Sequence, residues 1–347
     1  MPEPAIEHAR PTCTAQHALE ADWQAELRHA YRDPQSLLRD LGIDESAIDG
    51  LTPPKHGFAM RVPRGFARRM RYGDARDPLL LQVLPRQLEH NSVPGFGNDP
   101  LMESQFQPQP GLIHKYHGRA LLITTAACGV HCRYCFRRSF PYNEAREGAD
   151  GWQKAVQALA ADSTIEEAIL SGGDPLSLSD DKLTRLIDAL EDIPHVRRLR
   201  IHSRQPIVLP ERITGTLLAR LRNSRLRVVL VVHSNHAQEL DAAVASACDQ
   251  LRSAGLTLLN QAVMLANVND DAEAQARLSE RLFEIGVLPY YLHQLDPVAG
   301  AAHFAVADDR ARGIMRELNA RLPGYLVPRL VREVPGEQGK LPMNWGL

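Results

Sequence analysis

The stretch Arg119-Ala-Leu-Leu-Ile-Thr-Thr-Ala-Ala-Cys128-Gly-Val-His-Cys132-Arg-Tyr-Cys135 places three cysteines shortly after an apolar run. The run at residues 119–125 predicts a buried strand that opens the regular part of the chain. Similar runs restart roughly every 30 residues after a longer first interval, which is the spacing of a βα unit. The further predicted strands are residues 167–171, 199–203, 228–232, 256–260 and 287–292.

Helical patterns follow these strands in turn. Six βα units in series predict an α/β fold with a parallel sheet, and we favour a partial (β/α)6 TIM-like barrel over a doubly wound sheet. In both architectures functional residues lie at the carboxyl ends of the strands. The predicted helices are residues 152–161, 180–190, 211–221, 239–254, 272–285 and 309–321.

The first 110 residues have a different pattern. Residues 20–31, 34–41 and 62–71 predict helices, and the Pro/Gly-rich residues 91–110 predict a linker or a wrapping arm. We expect a helical N-terminal region with an arm over residues 1–110 and the barrel over residues 111–347. The arginines between residues 61 and 71 are interpreted as a solvated helix face.

The composition argues against several classes of protein. There are 40 Lys and Arg against 42 Asp and Glu, so the net charge of −2 offers no general attraction to nucleic acid or a membrane surface. No run reaches the roughly 18 apolar residues of a membrane span, and the first residues lack the pattern of a signal peptide. We therefore expect a cytoplasmic protein with neither nucleic-acid nor membrane partners.

Cys128, Cys132 and Cys135 have the spacing C-x3-C-x2-C, and the total of 5 cysteines argues against a disulfide framework. A structural zinc site normally draws four ligands from two separated pairs, and Cys13 and Cys248 stand alone in the sequence. Three thiolates on one tight loop suit a [4Fe–4S] cluster in which one iron lacks a protein ligand. A zinc-binding interaction module is retained as the weakest alternative.

The cysteine triplet resembles the signature of radical S-adenosylmethionine enzymes, in which the open iron chelates S-adenosylmethionine. That resemblance implies a partial (β/α)6 barrel, in agreement with the six units counted above. Ser171-Gly172-Gly173-Asp174, at the end of the second predicted strand, resembles the glycine-rich turn with which the family contacts the methionyl amino group. Glycine allows the close backbone approach that such a contact needs.

Lys340 is one of only five lysines and lies in Pro335-Gly-Glu-Gln-Gly-Lys340-Leu-Pro. A lysine that forms a Schiff base must reach an aldehyde and lose its proton, which a flexible loop at a partly desolvated pocket allows. The loop resembles the pyridoxal-phosphate lysine loop of lysine 2,3-aminomutases, although Glu337-Gln338 stands where that family is richer in glycine. The resemblance covers about residues 90–345 through Asp99-Pro-Leu, Gly118-Arg-Ala-Leu-Leu, Cys135-Phe-Arg-Arg, Leu209-Pro-Glu-Arg-Ile-Thr, Asn260-Gln-Ala-Val and His303-Phe.

The resemblance implies an isomerase that moves the α-amino group of an amino acid to its β-carbon. In the family the cluster passes one electron to S-adenosylmethionine, the resulting radical removes a substrate hydrogen, and pyridoxal phosphate holds the amino nitrogen. The protein then has to position these cofactors and the substrate.

The resemblance also assigns roles to single residues. Arg137 matches the arginine that binds the substrate carboxylate, while Asp296 and Glu333 fall where lysine-acting members carry aspartates that meet the ammonium group. We therefore expect L-lysine as the substrate. The remaining expected contacts, to the phosphate and to S-adenosylmethionine, fall to Arg119, Gln261 and His233.

The sequence ends seven residues after Lys340 and contains Arg332-Glu-Val-Pro-Gly-Glu. Within the family, these two features look most like the branch that serves β-lysylation of elongation factor P. That branch makes (R)-β-lysine from (S)-α-lysine, and a lysyl-tRNA-synthetase-like ligase attaches it to elongation factor P. A free-standing amino-acid 2,3-aminomutase of lysine metabolism is the alternative. Relatives form oligomers, so we expect a homodimer or a tetramer.

Overall fold

A computed structural model describes residues 23–51, 58–142 and 152–344. One sheet has nine strands hydrogen-bonded in chain order, from β1 to β9. The strands β2 to β8 pair in parallel, whereas β1 and β9 pair antiparallel at the two ends. The strands are β1 Leu112–Tyr116, β2 Arg119–Thr125, β3 Glu167–Gly172, β4 Arg198–Ser203, β5 Arg227–His233, β6 Thr257–Val263, β7 Leu288–His293, β8 Arg329–Arg332 and β9 Leu341–Pro342.

The sequential strand order confirms the barrel prediction. A doubly wound sheet reverses direction at a switch point, whereas each crossover here steps to the next strand in the same sense. Parallel crossovers are almost always right-handed, so an unreversed series keeps its helices on one face of the sheet. The helices after β2 to β7 are Gln153–Ala161, Asp180–Glu191, Gly215–Arg222, Ala242–Ser253, Ala272–Glu284 and Asp308–Arg321, with a short additional helix at Gln205–Val208.

Leucine-rich faces join the helices to the sheet. In the helix Asp180–Glu191, the acidic residues of the first turn lie at the positive end of the helix dipole. Leu183, Leu186 and Leu190 on one side are at most 1% exposed and belong to the main core between helices and strands. This core holds the strand ends in fixed positions, which is what a site built from several loops requires.

Two helices begin later than the sequence pattern predicts. The prediction of a helix over 211–221 is wrong at its start, because Thr214 caps the helix by accepting a hydrogen bond from the Leu217 N–H. The prediction over 239–254 is wrong in the same way, since the side chain of Asp241 accepts from the Val244 N–H and starts the helix at Ala242. In both cases a side-chain N-cap, which supplies an acceptor for an orphan amide, sets the boundary.

The N-terminal region has its own hydrophobic core and packs against the cysteine loop. Residues 23–28 are helical, and further helices are Pro34–Asp40, Arg64–Ala67 and Pro78–Leu81. Their buried side chains, including Phe66 and Leu80, form one cluster with Val130 of the cysteine loop and Val208 after β4. Cys13 and the predicted helical residues 20–22 lie outside the described residues.

The interpretation of residues 61–71 as a solvated face is wrong for two arginines. The Arg69 side chain is 6% exposed and donates to Asp241 at 2.7 Å and to the Glu239 carbonyl at 3.0 Å. Arg61 donates to the Cys128 carbonyl at 2.9 Å. The helix is also shorter than predicted, Arg64–Ala67, so these arginines extend from its flanks toward the barrel.

No helix in the described ranges is long and apolar enough to cross a membrane.

Candidate active site

A cavity of about 640 Å³ opens at the carboxyl ends of the parallel strands. Each strand from β2 to β7 contributes residues to its wall, and Glu333 joins them directly after β8. Every site residue predicted from the sequence lines this cavity, although their individual roles stay predictions. They are Arg119, Cys128, Cys132, Cys135, Arg137, Ser171, Gly172, Gly173, Asp174, His233, Gln261, Asp296, Glu333 and Lys340.

The cysteine loop follows β2, the first parallel strand, and not the first strand of the sheet, because the antiparallel β1 precedes it. The N-terminal region fixes the loop backbone: the His131 N–H donates to the Arg61 carbonyl at 3.0 Å, and the Arg133 N–H donates to the Gln82 carbonyl at 2.9 Å. The His131 ring contacts the Ala59 carbonyl at 2.6 Å. The imidazole is thus engaged with the N-terminal region rather than completing a ligand set with the cysteines.

The three cysteines are half-buried on one loop. Burial, followed by the neighbouring Cys132, raises the pKa of Cys135 to about 11, and burial with Cys135 and Cys132 nearby raises the pKa of Cys128 as well. Across the described ranges, no group of three or more His, Cys, Asp or Glu side chains is placed to hold a single metal ion. Cysteines that bind separate corners of a cluster do not have to converge on one point.

The glycine turn after β3 supports the cysteine loop. The Gly173 N–H donates to the Thr125 carbonyl at 2.7 Å, and the Asp174 N–H donates to the Ala127 carbonyl at 2.8 Å. A Cβ atom on Gly173 would lie 2.4 Å from the Ala127 oxygen, so only glycine fits there. Gly172 has φ of +118°, a conformation that also favours glycine.

Asp174 connects three consecutive strand ends. Its buried carboxylate accepts from the Ser203 hydroxyl at 2.7 Å and from the N–H groups of Arg204 at 2.8 Å, Gln205 at 3.1 Å and Leu176 at 3.0 Å. Burial nevertheless raises its pKa above the ordinary value. With four protein donors already bound, this side chain holds the turn in place.

Arg137 already has an acidic partner. Its Nε and Nη2 donate to the two carboxylate oxygens of Glu103, each at 2.8 Å, and Nη1 donates to the Ser171 hydroxyl at 2.9 Å. Arg137 and Glu103 are both 5% exposed. The Glu103 carboxylate therefore occupies one edge of the guanidinium, and a substrate carboxylate would meet the Nη1/Nη2 edge.

Elsewhere on the cavity wall, Glu333 lies between two lysines. Lys340 donates to Glu333 Oε2 at 2.6 Å, and Lys115 donates to Oε1 at 3.2 Å. Burial alone would raise the pKa of Glu333, but the two ammonium groups lower it to about 2. Burial and then the charge of Glu333 raise the pKa of Asp296 to about 7. At neutral pH, Glu333 is therefore fully charged, whereas Asp296 is partly protonated.

Three histidines of the cavity wall are neutral. Burial, together with Arg204, lowers the pKa of His233 to about 3, and its Nε2 lies 3.2 Å from the Tyr134 hydroxyl. Burial also lowers the pKa of His202 and of His293 well below the ordinary value. In the described part of the chain, no partner meets the buried Nε2 atoms of His202 and His293.

Arg119 and Gln261, the other two residues predicted to contact a cofactor, have few side-chain contacts with the rest of the protein. The Arg119 guanidinium lies over the Tyr116 ring at 4.6 Å from its centroid, and Gln261 pairs with His233 across neighbouring strands. Both side chains line the cavity.

Several site residues escaped the sequence analysis. Glu103 follows the quoted Asp99-Pro-Leu motif by two positions, and the scarcity of lysine could have drawn attention to Lys115. Arg204 contacts Cys132 from the end of β4, a pairing that no local pattern indicates. Glu103 and Arg204 can be recognised as site residues only through their contacts with Arg137 and Cys132, which are distant in sequence.

The chain is similar to curated proteins over most of its length. L-lysine 2,3-aminomutase of Escherichia coli K12 is 52% identical over 325 residues, which cover 93% of this chain and 94% of that protein. The L-lysine 2,3-aminomutase of Haemophilus influenzae is 45% identical with 92% and 95% covered, and that of Clostridium subterminale is 33% identical with 93% and 77% covered.

No family model matches the chain. The crystal structure of a radical SAM methyltransferase from Sphaerobacter thermophilus is similar over 64% of this chain and 68% of its own, with 16% identity and a TM-score of 0.43. The curated relatives decide the assignment, because they are 33% to 52% identical over 92% to 93% of this chain. The chain belongs to the lysine 2,3-aminomutase family of isomerases.

Proposed function

We propose that this enzyme is a radical S-adenosylmethionine and pyridoxal-phosphate-dependent lysine 2,3-aminomutase that converts (S)-α-lysine to (R)-β-lysine. One observation carries the proposal: the three cysteines, Arg137, the acidic pair and Lys340 all line a single cavity. Such a cavity brings a cluster loop, a carboxylate-binding cation and an amine within reach of one small molecule.

The residues present fit the proposed cofactors. The thiols of Cys128, Cys132 and Cys135 are the donors that iron–sulfur clusters take. Binding would displace the protons that the raised pKa values keep on Cys128 and Cys135. His202 and His293 add buried, unpartnered ring nitrogens to the described part of the cavity wall, which suit a polar ligand. Together the cofactors supply a radical that removes an unactivated hydrogen and a carrier for the migrating amino group.

We assign S-adenosylmethionine to the wall formed by the glycine turn, His233 and Gln261. The neutral imidazole of His233 can hydrogen-bond a ligand without adding charge beside the cysteines. Arg119 would meet the cofactor phosphate, and Lys340 would hold pyridoxal phosphate. Because Lys340 already donates to Glu333 at 2.6 Å, that carboxylate holds the amine at the cavity wall.

The substrate would be held at both ends. Arg137 offers its Nη1/Nη2 edge to the α-carboxylate while Glu103 fixes the other edge. Asp296 and Glu333 line the region for the side-chain ammonium. Glu333 is already paired with Lys340 and Lys115, so a neutral or acidic substrate side chain would leave Asp296 in particular without a charged partner. The acidic residues therefore favour lysine over other amino acids.

We further propose that the β-lysine serves the post-translational β-lysylation of elongation factor P in the cytoplasm. This partner, and the lysyl-tRNA-synthetase-like ligase that would act between them, rest on the branch resemblance described above. A homo-oligomeric enzyme is part of the same proposal.

The reaction is tested by anaerobic reconstitution with iron, sulfide, pyridoxal phosphate, S-adenosylmethionine and dithionite, followed by chromatography for β-lysine and 5′-deoxyadenosine. Both products are expected with lysine, and neither with Cys132→Ser. Absence of 5′-deoxyadenosine from the wild type would overturn the radical chemistry. If 5′-deoxyadenosine forms without β-lysine, the substrate or the Lys340 assignment is wrong.

The pathway is tested separately by adding elongation factor P, the ligase and ATP to the same mixture. Chromatography of the hydrolysed protein should find β-lysine released from elongation factor P, and only when the aminomutase is present. Equal modification without the aminomutase would favour the free-standing metabolic enzyme.

A further inference from the structure

Arg204, the residue after β4, reaches the cysteine loop through the barrel interior. Its Nη1 lies 2.7 Å from the Cys132 sulfur and 2.7 Å from the Tyr134 hydroxyl. Its Nη2 donates to the Gln82 amide oxygen at 2.7 Å and to Glu239 Oε2 at 3.0 Å. One guanidinium thus joins a cysteine of the loop to a carboxylate that is 0% exposed.

The guanidinium keeps its positive charge in this place. Arginine stays protonated at physiological pH. A buried cation normally needs one carboxylate for neutrality. Glu239, at 3.0 Å, supplies that carboxylate, and the sulfur of Cys132 lies beside the same guanidinium.

The three cysteines differ in their surroundings. Cys135 receives a hydrogen bond from the Arg137 backbone N–H. Arg61 donates to the backbone carbonyl of Cys128 rather than to its sulfur. Cys132 has a charged donor within contact distance of its sulfur, and that donor is fixed by three further partners.

We propose that Arg204 raises the reduction potential of the iron–sulfur cluster through Cys132, and that Glu239 limits the rise. The inference rests on the proposed function, since it takes Cys132 as a cluster ligand. Hydrogen bonds to the sulfurs and nearby charge are among the main determinants of cluster potentials. Both a donor and a cation beside a thiolate ligand stabilise the reduced cluster, which carries one more negative charge.

The step concerned is a one-electron reduction. The oxidised [4Fe–4S]²⁺ cluster takes one electron from a one-electron reductant, dithionite in the assay, and becomes [4Fe–4S]⁺. No covalent bond forms or breaks, and no proton is taken up. Arg204 is therefore a positioning residue that acts through Cys132.

The experiment is a redox titration of the reconstituted, anaerobic protein, followed by electron paramagnetic resonance of the reduced cluster. The variants are Arg204→Met, Arg204→Lys, Glu239→Gln and the double variant with Arg204→Met and Glu239→Gln. Arg220→Met is the matched control, because Arg220 is paired with Asp188 at 2.7 Å on an outer helix. Iron and sulfide contents are measured first.

Arg204→Met should make reduction about ten- to a hundredfold less favourable, which is roughly 60 to 120 mV at 59 mV per tenfold for one electron. Glu239→Gln should shift the potential upward, because it removes a negative charge from the network. The double variant should fall between Arg204→Met and the wild type, since the net charge is kept and only the hydrogen bond is lost. Arg204→Lys should show a smaller decrease, and Arg220→Met none.

Equal potentials in the wild type and Arg204→Met would overturn the proposal, as would shifts of the same sign in Arg204→Met and Glu239→Gln. If Arg204→Met does not fold, the opposite shifts expected for Arg204→Lys and Glu239→Gln still decide the question. A wild-type protein that assembles no cluster would contradict the proposed function instead.

Discussion

At the cysteine end of the cavity, Cys132 contacts a guanidinium whose other hydrogen bonds serve Tyr134, Gln82 and Glu239. At the lysine end, Asp296 forms no salt bridge within the described part of the chain, and its pKa is raised to about 7. At the cysteine end, the terminal nitrogens of that guanidinium are hydrogen-bonded to their neighbours. At the lysine end, the Asp296 carboxylate has no cationic partner among the described residues. This contrast suggests that the cofactor end is pre-organised and that the lysine end responds to substrate.

The largest expected effect is that of substituting Lys340, which should change the lysine end of the cavity and leave the cysteine end unchanged. Lys340→Ala should abolish both the pyridoxal absorbance and β-lysine formation, because the variant lacks the amine proposed to bind pyridoxal phosphate. Among the described residues Lys340 hydrogen-bonds to Glu333 and not to the cysteine loop, so the iron content should stay at the wild-type level. Absorbance spectroscopy and iron analysis measure the two ends in one sample.

Lys182→Ala is the matched control, because Lys182 is exposed on an outer helix. Both signals should survive there. A Lys340→Ala protein that retains its pyridoxal absorbance would refute the anchoring role.

The next effect concerns Arg137, which follows the cysteine loop and is proposed to bind the substrate carboxylate. Arg137→Lys should lower kcat/KM for lysine by about a hundredfold, because an ammonium cannot serve Glu103, Ser171 and a substrate carboxylate in fork geometry. Steady-state kinetics measure the loss. Inhibition by 1,5-diaminopentane, which has no carboxylate, should hardly change, and a parallel loss there would point to a general defect of the cavity.

Asp296→Asn should raise the KM for lysine by about ten- to thirtyfold, since the variant loses a charged hydrogen-bond partner for the ammonium. Asp309→Asn serves as control, because the Asp309 side chain is 99% exposed. Initial rates over a range of lysine concentrations give both constants. An unchanged KM would remove Asp296 from the substrate site.

The smallest expected effect is the pH dependence of lysine binding. The raised pKa of about 7 means that Asp296 is neutral below pH 7 and charged above it. Affinity for the lysine ammonium should therefore fall as the pH drops through 7, by about tenfold between pH 8 and pH 6. Equilibrium binding measures this change, and Asp296→Asn should flatten it. A profile that persists in the variant would assign the titration to another group.

Much of the barrel could be predicted from its buried strands. The apolar runs located β2 to β7, since strands buried on both faces read as continuous hydrophobic stretches. The strand β8, Arg329–Arg332, was missed because only its two central residues are apolar. The end strands β1 and β9 pair on the margins of the sheet, where such runs are not needed.

The site was predictable where its residues follow strands and motifs, as with Cys128 and Asp174. It was not predictable where function depends on partners distant in sequence. Glu103 meets Arg137 from the N-terminal arm, and Arg204 joins Cys132 to Glu239. No periodicity reports such pairs, because they depend on how the arm and the strand ends pack together.

The hydrogen bonds from Gly173 and Asp174 to the backbone around the cysteine loop bear on the maturation of the enzyme. Many small metal sites acquire their shape only when the metal binds. This loop is held by β3 and the N-terminal region, so we expect its backbone to keep this shape without the cluster. On that expectation, iron would be delivered to an already folded protein, and a cluster lost to oxygen could be rebuilt without refolding.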